Sequence, residues 1–327
     1  MSGRQIEVVE AGLLSSVQDA AGRPGWRHLG VPVSGAADAF SARLANRLVG
    51  NADHAPLLEA TIIGPRLRIA AATLVAVAGA DLDARLDGRS LAPGESRPAR
   101  AGAELRFEGR RSGARAYVAF GGGIRVAQVL GSASTDLRSG FGGHAGRALQ
   151  AGDVLDLDEP SGEAGARRLR VSLSDDRGPI RVLPGPHAGR LPPDLLERLC
   201  AADWLVGAEV DRAGARLDGP PMGEARMAEV PSLGLPLGAA QLPPDGRPIV
   251  MLADGPVTGG YPVAVCVVRA DIGRIAQLVP GDALRFALTT PDAAREALLA
   301  QERLLDSLEP VAARVDGDDA AWAGSLD

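Results

Sequence analysis

The stretch at residues 247–268, RPIVMLADGPVTGGYPVAVCVV, decides which type of fold the rest of the sequence must fit. Two apolar runs, PIVML and VAVCVV, flank the polar segment DGPVTGGYP at residues 254–262. Apolar runs of about four to eight residues, bounded by Gly, Pro and Asp, are typical of β-strands. The stretch therefore predicts two strands and a glycine-containing turn. It also raises the question of why that turn carries Asp254, Thr258 and Tyr261.

Similar short runs recur along the chain and are separated by Gly, Pro, Asp and Asn. They are IEVVE (6–10), LRIA (67–70), LVAVAG (74–79), ELRFE (104–108), RAYVAF (115–120), DVLDL (153–157), LRVSL (169–173), IRVLP (180–184) and LRFAL (284–288). The chain of 327 residues also contains 42 Gly and 24 Pro, as many short strands joined by turns require. This spacing favours a barrel or sandwich over alternating βαβ units, so we expect a mainly β fold with a few helices.

Three segments have the pattern of helices. Residues 39–49 carry apolar side chains on one stripe, with Ser34 or Asp38 as the start signal. The segment PPDLLERLCAA at 192–202 begins with prolines, which suit a first helical turn. A third helix is predicted over 290–308, with threonine as its N-cap and proline at its first position.

Two similar segments suggest where the chain divides. QAGDVLDLD (150–158) and VPGDALRFA (279–287) both place a Gly-Asp turn before an alternating strand, as though each closed one half of the molecule. The polar segment EPSGEAGAR (159–167) follows the first of them and has the composition of a linker. We therefore predict an N-terminal β domain over 1–163, a C-terminal β domain over 164–288, and a C-terminal helix with a frayed acidic tail over 289–327.

Composition excludes several classes of function. The net charge of −6 argues against a nucleic-acid partner, which would require a basic surface. All 35 basic residues are Arg, so the chain has neither a Walker A lysine nor a lysine to carry biotin. The longest apolar run, at 70–80, is too short for a membrane span, and we expect a cytoplasmic protein. The four His and two Cys are too scattered along the chain to predict a metal site.

The first segment rich in polar groups covers residues 17–59. Its glycines and prolines are too frequent for a regular strand or helix, and long ordered loops in compact proteins are often functional. Arginine binds carboxylates and phosphates, and aspartate can transfer protons. Asp-Arg pairs that only fix the loop are an equally good explanation of any single residue. The segment supplies the catalytic candidates Asp19 and Asp38 and the binding candidates Arg23, His28 and Glu59.

The second group of polar residues comprises residue 187 and the segments 210–220, 238–246 and 254–262. Paired glycines let a backbone approach a ligand closely, and hydroxyl groups beside an Asp can donate hydrogen bonds. A tight hairpin held by an Asp side chain would explain the same pattern without a ligand. The group adds the catalytic candidates Asp254 and Tyr261 and the binding candidates His187, Arg212, Gln241, Thr258, Gly259 and Gly260.

Taken together, these segments resemble the family called allophanate hydrolase subunit 2, KipA, 5-oxoprolinase of the C type or biotin-dependent carboxyltransferase family protein. The resemblance spans residues 5–287 in order. It is carried by SVQDAAGRPGWRHLGVPVSGAAD (16–38), LANRLVGN (44–51), LLEATIIGP (57–65), VAGADLDARLDG (77–88), GSASTDLRSGFGGHAGRALQAGD (131–153), IRVLPGPH (180–187), DRAGARLDGP (211–220), GAAQLPPDGRPIVMLAD (238–254) and TGGYP (258–262).

The resemblance implies two cyclophilin-like β-barrel domains and a KipI-like partner of the 5-oxoprolinase B type. With that partner, and with a third subunit of the 5-oxoprolinase A type, such proteins open the lactam of 5-oxoproline to glutamate at the expense of ATP. Because this chain lacks lysine, we expect ATP to be bound by Arg and backbone groups or shared with the partner. We expect no covalently attached biotin for the same reason.

The sequence departs from the family pattern in the segment 254–262. The family usually reads DRQTTGGYP, whereas Gly255, Pro256 and Val257 stand in place of the Arg, the Gln and the first Thr. Ala213 replaces a common Met, and Leu233 replaces a common Glu. The losses of Arg and Glu remove two side chains suited to anion binding and proton transfer.

Three functions therefore compete at this stage. The first is a hydrolase subunit of the 5-oxoprolinase type that is active only in its complex. The second is a carboxyltransferase subunit that acts on carboxybiotin carried by another chain. The third is a regulatory subunit that has lost its catalytic groups and binds a KipI-like partner.

Overall fold

The computed structural model of the chain describes residues 3–160, 165–169, 178–222 and 230–311. The expectation of a mainly β fold is confirmed. The acidic tail, part of the predicted linker and most of LRVSL lie outside the described residues. Each of the other quoted runs overlaps a strand.

Twenty-three short strands form the framework of the described chain. They are β1 (Gln5–Glu10), β2 (Leu14–Gln18), β3 (Leu57–Thr61), β4 (Arg66–Ile69), β5 (Thr73–Asp81), β6 (Ala84–Leu86), β7 (Arg89–Ser90), β8 (Glu95–Ala99), β9 (Glu104–Phe107), β10 (Ser112–Phe120), β11 (Val154–Asp156), β12 (Arg167–Leu169), β13 (Ile180–Pro184), β14 (Trp204–Val210), β15 (Gly214–Asp218), β16 (Leu233–Gly234), β17 (Ala239–Gln241), β18 (Ile249–Met251), β19 (Thr258–Gly259), β20 (Val263–Val267), β21 (Ala283–Leu284), β22 (Phe286–Leu288) and β23 (Leu308–Pro310).

Short helices connect the sheets within the described residues. They are the α-helices α1 (Ala39–Leu48), α2 (Leu195–Ala201), α3 (Ile272–Ala276) and α4 (Pro291–Leu305), and the 3-10 helices Arg27–Leu29, Ala188–Arg190 and Arg269–Asp271. The three predicted helices are confirmed, whereas α3 was not predicted.

The first half of the chain folds into two sheets that enclose one apolar core. One sheet has the strand order β11-β1-β4-β9-β6-β7, and the other has the order β2-β3-β10-β5-β8-β12-β23. Ile6, Leu67, Val77 and Phe120 are fully buried between them. Alternation in β1 and β4 places every second side chain in this core, as the sequence pattern requires.

The second half folds into a nearly closed barrel. Its strand order is β21-β14-β15-β18-β17-β20-β13-β22, and Arg285 alone separates β21 from β22 along the chain. The two outermost strands of the sheet therefore belong to one bent segment, which nearly closes the sheet on itself. Trp204 and Phe286 are among the side chains that fill the interior.

Asp38 is the N-cap of helix α1, and the end of this helix packs against a sheet of the first half. The Asp38 carboxylate accepts a hydrogen bond from the backbone N–H of Ser41 at 3.1 Å, as expected of an N-cap. Leu44 and Leu48 are fully buried in an apolar cluster over β5 and β10. Of the two predicted start signals for this helix, Asp38 is therefore correct and Ser34 is not.

The C-terminal helix brings the chain back to the first half. Thr290 caps α4 as predicted, but the helix ends at Leu305 and not near Leu308. Leu308 begins β23, which pairs with β12, and β12 in turn pairs with β8 at Arg168 and Glu95. Backbone pairing with a sheet edge thus replaces the last helical turn. The division of the chain at residue 163 stays a prediction, and these two short strands beyond it join the sheet of the first half.

Leu305 anchors this returning segment. Its side chain is only 2% exposed in the apolar cluster beneath α1, whereas Leu299 of the same helix is 43% exposed. We expect Leu305→Ala to lower the free energy of unfolding by about 2–4 kcal/mol, because it leaves a cavity. Leu299→Ala, the matched control, should change it by less than about 0.5 kcal/mol. Urea denaturation measures both, and equal effects would contradict this packing.

Candidate functional site

A large cleft lies between the sheets of the first half and the barrel. Its volume is about 1650 Å³, and its walls include the start of α1, the segment 252–253 and the segment 269–278. Asp38 is the one predicted catalytic residue that lines it. The cleft is large enough for a small-molecule substrate.

Behind the cleft wall, Glu59, Arg212 and Asp254 form what we call the buried ion cluster. The Arg212 guanidinium donates to both Asp254 oxygens, at 2.7 and 3.1 Å, to Glu59, and to the backbone carbonyl of Gly35 at 2.6 Å. Glu59 lies on β3 of the first half, whereas Arg212 and Asp254 belong to the second half. None of the three side chains is more than 9% exposed. The cluster therefore joins the two halves through a desolvated charge pair.

The second Glu59 oxygen is also fully used. It accepts hydrogen bonds from the Ala37 N–H at 2.9 Å and from the Tyr117 hydroxyl at 2.8 Å. Burial opposes ionisation, but the charges of Arg212 and Arg115 outweigh it and hold the pKa of Glu59 below its ordinary value. For Arg212, burial is likewise outweighed by its two carboxylate partners, so its pKa lies above the ordinary value. Both groups are thus ionised at neutral pH.

Asp38 is held by groups from both halves. Its Oδ2 accepts from the Ser41 hydroxyl at 2.6 Å and from Gln277 Nε2 at 2.9 Å. The Gln277 carboxamide oxygen accepts from the backbone N–H groups of Ala114 and Arg115, each at 2.9 Å, where β10 bulges. Gln277 therefore connects the end of α3 to the first half and orients Asp38. No sequence signal pointed to Gln277, because its partners are distant in sequence.

Asp19 and Arg23 lie together in the loop after β2. The Asp19 carboxylate accepts from Ala21 and Gly22 N–H at 3.1 and 2.5 Å, and from Ser132 Oγ and Ala133 N–H at 2.6 and 2.8 Å. The first two bonds shape the loop after β2, and the other two tie it to the loop around residue 132. Asp19 thus fixes a loop, but through backbone N–H groups and a serine hydroxyl and not through the Asp-Arg pair that the alternative described.

Arg23 is fully buried in the same place. Its guanidinium lies 4.7 Å from the centre of the Phe141 ring and donates to the carbonyl of Ser134. Burial lowers the pKa of Arg23, although Asp136 and Asp19 partly offset the effect. With no exposed surface, Arg23 cannot reach a ligand from outside, so the expected anion clamp is not formed by this residue in the structure.

His187 and Gln241 each hydrogen-bond to the backbone segment that leads into β20. His187 Nδ1 accepts the backbone N–H of Val263 at 3.0 Å, and Gln241 Nε2 donates to the carbonyl of Tyr261 at 3.4 Å. Both side chains are buried, with exposed fractions of 7% and 4%. Burial and the charge of Arg190 lower the pKa of His187.

The remaining predicted residues lie at the surface or in backbone pairing. His28, Thr258, Gly260 and Tyr261 are exposed, and Gly259 pairs with Leu233 between β16 and β19. The segment 254–262 therefore does not bring its polar side chains together in one cluster. Asp254 faces the buried ion cluster, whereas Thr258 and Tyr261 face outward.

The arrangement defines a mainly β protein in which two units meet at a buried ion cluster beside a wide cleft. The family described as "Carboxyltransferase domain, subdomain A and B" matches residues 29–288 of this chain. The chain belongs to this family.

Three relatives show how the similarity is distributed. The C-type 5-oxoprolinase subunit of Escherichia coli is 34% identical over 93% of this chain and 97% of its own length. The urea amidolyase of Lachancea kluyveri is 32% identical over 93% of this chain, which spans only 18% of that protein. The crystal structure of the K. lactis urea amidolyase superposes with a TM-score of 0.87 at 32% identity, covering 95% of this chain and 20% of that one.

Two further observations concern the described residues as a whole. No helix among them is both long and apolar enough to cross a bilayer. Nor does the described part of the chain bring three or more His, Cys, Asp or Glu side chains together as metal ligands.

Glu59→Gln tests the charge of the buried ion cluster. Because the folded-state pKa of Glu59 lies below its ordinary value of 4.5, ionised Glu59 stabilises the fold above that pH, and this contribution is lost as the pH falls further. We expect the variant to be less stable by about 3 kcal/mol at pH 7. The deficit should shrink as the pH falls below about 4.5.

The matched control is Glu104→Gln, since Glu104 pairs with Arg66 at the surface and should contribute little. Urea denaturation of the variants and the unchanged protein across this pH range measures the effect. A deficit for Glu59→Gln that stays constant with pH would contradict an ionised Glu59.

Proposed function

We propose that this chain is a subunit of an ATP-dependent complex of the 5-oxoprolinase type, which opens the lactam of 5-oxoproline to glutamate. The observation that carries the proposal is the similarity to the C-type 5-oxoprolinase subunit of E. coli, which extends over 97% of that protein. The same chain matches only a fifth or less of each urea amidolyase named above.

Opening a lactam sets two chemical requirements. Water adds to the carbonyl carbon while the C–N bond breaks, so negative charge develops on the oxygen and the leaving nitrogen needs a proton. Of the predicted acids, Asp38 is the one that lines the cleft. Asp254 would act through Arg212, whose position it fixes with two hydrogen bonds.

The phosphates of ATP would need cationic groups that are not already neutralised. Arg110 and Arg269 line the cleft, and neither forms an ion pair with a described residue. Arg43 and Arg111 also line it but are paired with carboxylates. Two available guanidinium groups fit part of a triphosphate, which supports an ATP site shared with a partner.

A KipI-like subunit is the proposed partner, together with a third subunit of the 5-oxoprolinase A type. Exposed apolar side chains two residues along the chain from Arg27 and from its partner Leu235 support a protein interface in this region. Leu29 is 63% exposed and Leu237 is 42% exposed, while Arg27 donates to the carbonyls of Leu235 and Val257. Such an interface would place the partner beside the cleft.

The second candidate is a carboxyltransferase subunit acting on carboxybiotin borne by another chain. The observation that favours it is the match to the K. lactis urea amidolyase, with a TM-score of 0.87. A biotin-dependent reaction needs a biotinylated partner, because this chain has no lysine.

The third candidate is a regulatory subunit. The substitutions in the segment 254–262 favour it. The carbonyl of Val257 accepts hydrogen bonds from Leu235 N–H at 2.9 Å and from Arg27 at 3.1 Å. Leu233 pairs with Gly259. These contacts use backbone atoms, so the substituted residues keep the local fold while the Arg and Glu side chains of the family are lost.

Reconstitution tests the three candidates. The chain would be co-expressed with its KipI-like and third subunits, and ATP-dependent release of glutamate from 5-oxoproline would be measured. We expect glutamate only when all subunits and ATP are present. Carboxylation that depends on a biotinylated partner would support the second candidate, and a stable complex without turnover of either kind would support the third.

Asp254→Asn tests the role of the buried ion cluster in that complex. We expect turnover to fall by at least about 100-fold, because a neutral amide binds the Arg212 guanidinium more weakly than a carboxylate does. Asp245→Asn is the matched control, since Asp245 pairs with Arg216 at the surface. Circular dichroism of both variants separates lost folding from lost turnover. Unchanged turnover in a folded Asp254→Asn complex would remove this residue from the mechanism.

A further inference from the structure

Ser34 has a strained backbone conformation. Its φ angle is +54°, in the left-handed region that residues other than glycine rarely adopt, because their Cβ atom then lies close to the following carbonyl oxygen. Gly35, the next residue, has a φ of +87° without strain, since it carries no Cβ atom. Strained residues persist only where the surrounding contacts fix the backbone, and they are concentrated at functional sites.

Contacts from both halves of the chain fix the backbone of the segment 33–38. The N–H group of Ser34 donates to the carbonyl of Ala253 at 3.1 Å, and the carbonyl of Gly35 accepts from Arg212 at 2.6 Å. The other backbone groups of this segment that form hydrogen bonds are the carbonyl of Val33 and the N–H groups of Ala36, Ala37 and Asp38. The strained conformation of Ser34 is therefore held in place where the two halves meet.

The side chain of Ser34 is also unsatisfied. Its hydroxyl oxygen is buried without a hydrogen-bond partner, and only 5% of the residue is exposed. A buried hydroxyl without a partner destabilises the fold, and such groups are rare in folded chains. Every other buried serine hydroxyl among the described residues is hydrogen-bonded; that of Ser132, for example, donates to Asp19 Oδ2 at 2.6 Å. A structural role explains neither the strain nor the unpaired hydroxyl of Ser34.

Ser34 forms part of the cleft wall, at a place where the wall is otherwise apolar. The cleft-lining residues beside it in the two halves are Val33, Ala36, Ala37, Leu252 and Ala253. Small-molecule sites are mostly apolar, with a few polar groups that fix the orientation of the ligand. Rotation about the Cα–Cβ bond of Ser34 moves its hydroxyl from the covered position toward the cleft. The position of the residue thus suits a polar contact to a molecule in the cleft.

We infer that the Ser34 hydroxyl is a ligand-binding group, which donates a hydrogen bond to a carbonyl or carboxylate oxygen of a small molecule in the cleft. The bond would satisfy the hydroxyl that the protein leaves unpaired. 5-Oxoproline carries both kinds of oxygen, in its lactam and in its carboxylate. The inference deepens the proposed function, on which the choice of 5-oxoproline as the natural ligand rests.

Thermal unfolding of the full chain without ligand tests whether the hydroxyl is unpaired. Ser34→Ala should raise the unfolding midpoint by about 2 °C, because it removes an unpaired buried hydroxyl. Ser132→Ala should lower the midpoint, since it removes a buried hydroxyl that is hydrogen-bonded. Ser90→Ala, at an exposed position of β7, is the control that should change nothing. A lower midpoint for Ser34→Ala would show that the hydroxyl is bonded within the protein and would overturn the inference.

Isothermal titration calorimetry of the reconstituted complex without ATP tests the ligand. The probes are 5-oxoproline and 2-pyrrolidinone, which is the same lactam without the carboxylate. We expect Ser34→Ala to bind 5-oxoproline about tenfold more weakly than the unchanged complex, as the loss of one hydrogen bond predicts. Ser34→Gly, which adopts a positive φ without strain, should show the same loss, and Ser90→Ala should show none. An equal loss for 2-pyrrolidinone would assign the bond to the lactam carbonyl, and a loss confined to 5-oxoproline would assign it to the carboxylate.

Binding and turnover together separate this inference from the proposed function. If a probe binds in a way that depends on Ser34 but the complex with ATP releases no glutamate from 5-oxoproline, the binding role stands and the 5-oxoprolinase proposal fails. If neither probe binds, or if both Ser34 variants bind the probes as tightly as the Ser90→Ala control, the inference is overturned. Glutamate release that both Ser34 variants leave unchanged would support the proposed function without any role for this hydroxyl.

Discussion

The rest of the structure depends on the desolvated contact between Arg212 and two carboxylates, one from each half of the chain. Glu59 lies in the middle of strand β3 of the first half, and Arg212 and Asp254 lie on loops of the barrel. A buried charge without its partner costs several kcal/mol, so each half needs the other to keep these groups satisfied. Gln277 and Asp38 add a second polar contact across the same boundary. The walls of the cleft are held in position by both contacts.

One catalytic candidate and one binding candidate from the sequence turn out to be held within the protein. Asp19 uses its carboxylate on four loop donors, and Arg23 is enclosed beside Phe141. The Asp19 carboxylate thereby fixes a loop, whereas Nη1 of Arg23 is buried without a hydrogen-bond partner among the described residues. Residue type alone does not separate these two situations.

Much of the fold could be predicted because it follows from local rules. Alternation in IEVVE and LRIA, the Asp38 cap of α1 and the Thr290 cap of α4 each depend on neighbours a few residues away. The end of α4 could not be predicted, because β23 forms only when β12 provides an edge to pair with. Gln277 was missed for the same reason, since its partners Asp38 and Arg115 are more than 160 residues away.

The sequence by itself determined the class of fold, the positions of three of the helices and the resemblance to carboxyltransferase-related proteins, because strand alternation, capping residues and quoted motifs are all local or ordered along the chain. Only the tertiary structure decided which polar residues meet. It brought Glu59 to Arg212, hid Arg23 and turned Tyr261 outward. The physical reason is that a polar group's role depends on whether its partners come from the protein or from solvent, and those partners are set by contacts between distant segments.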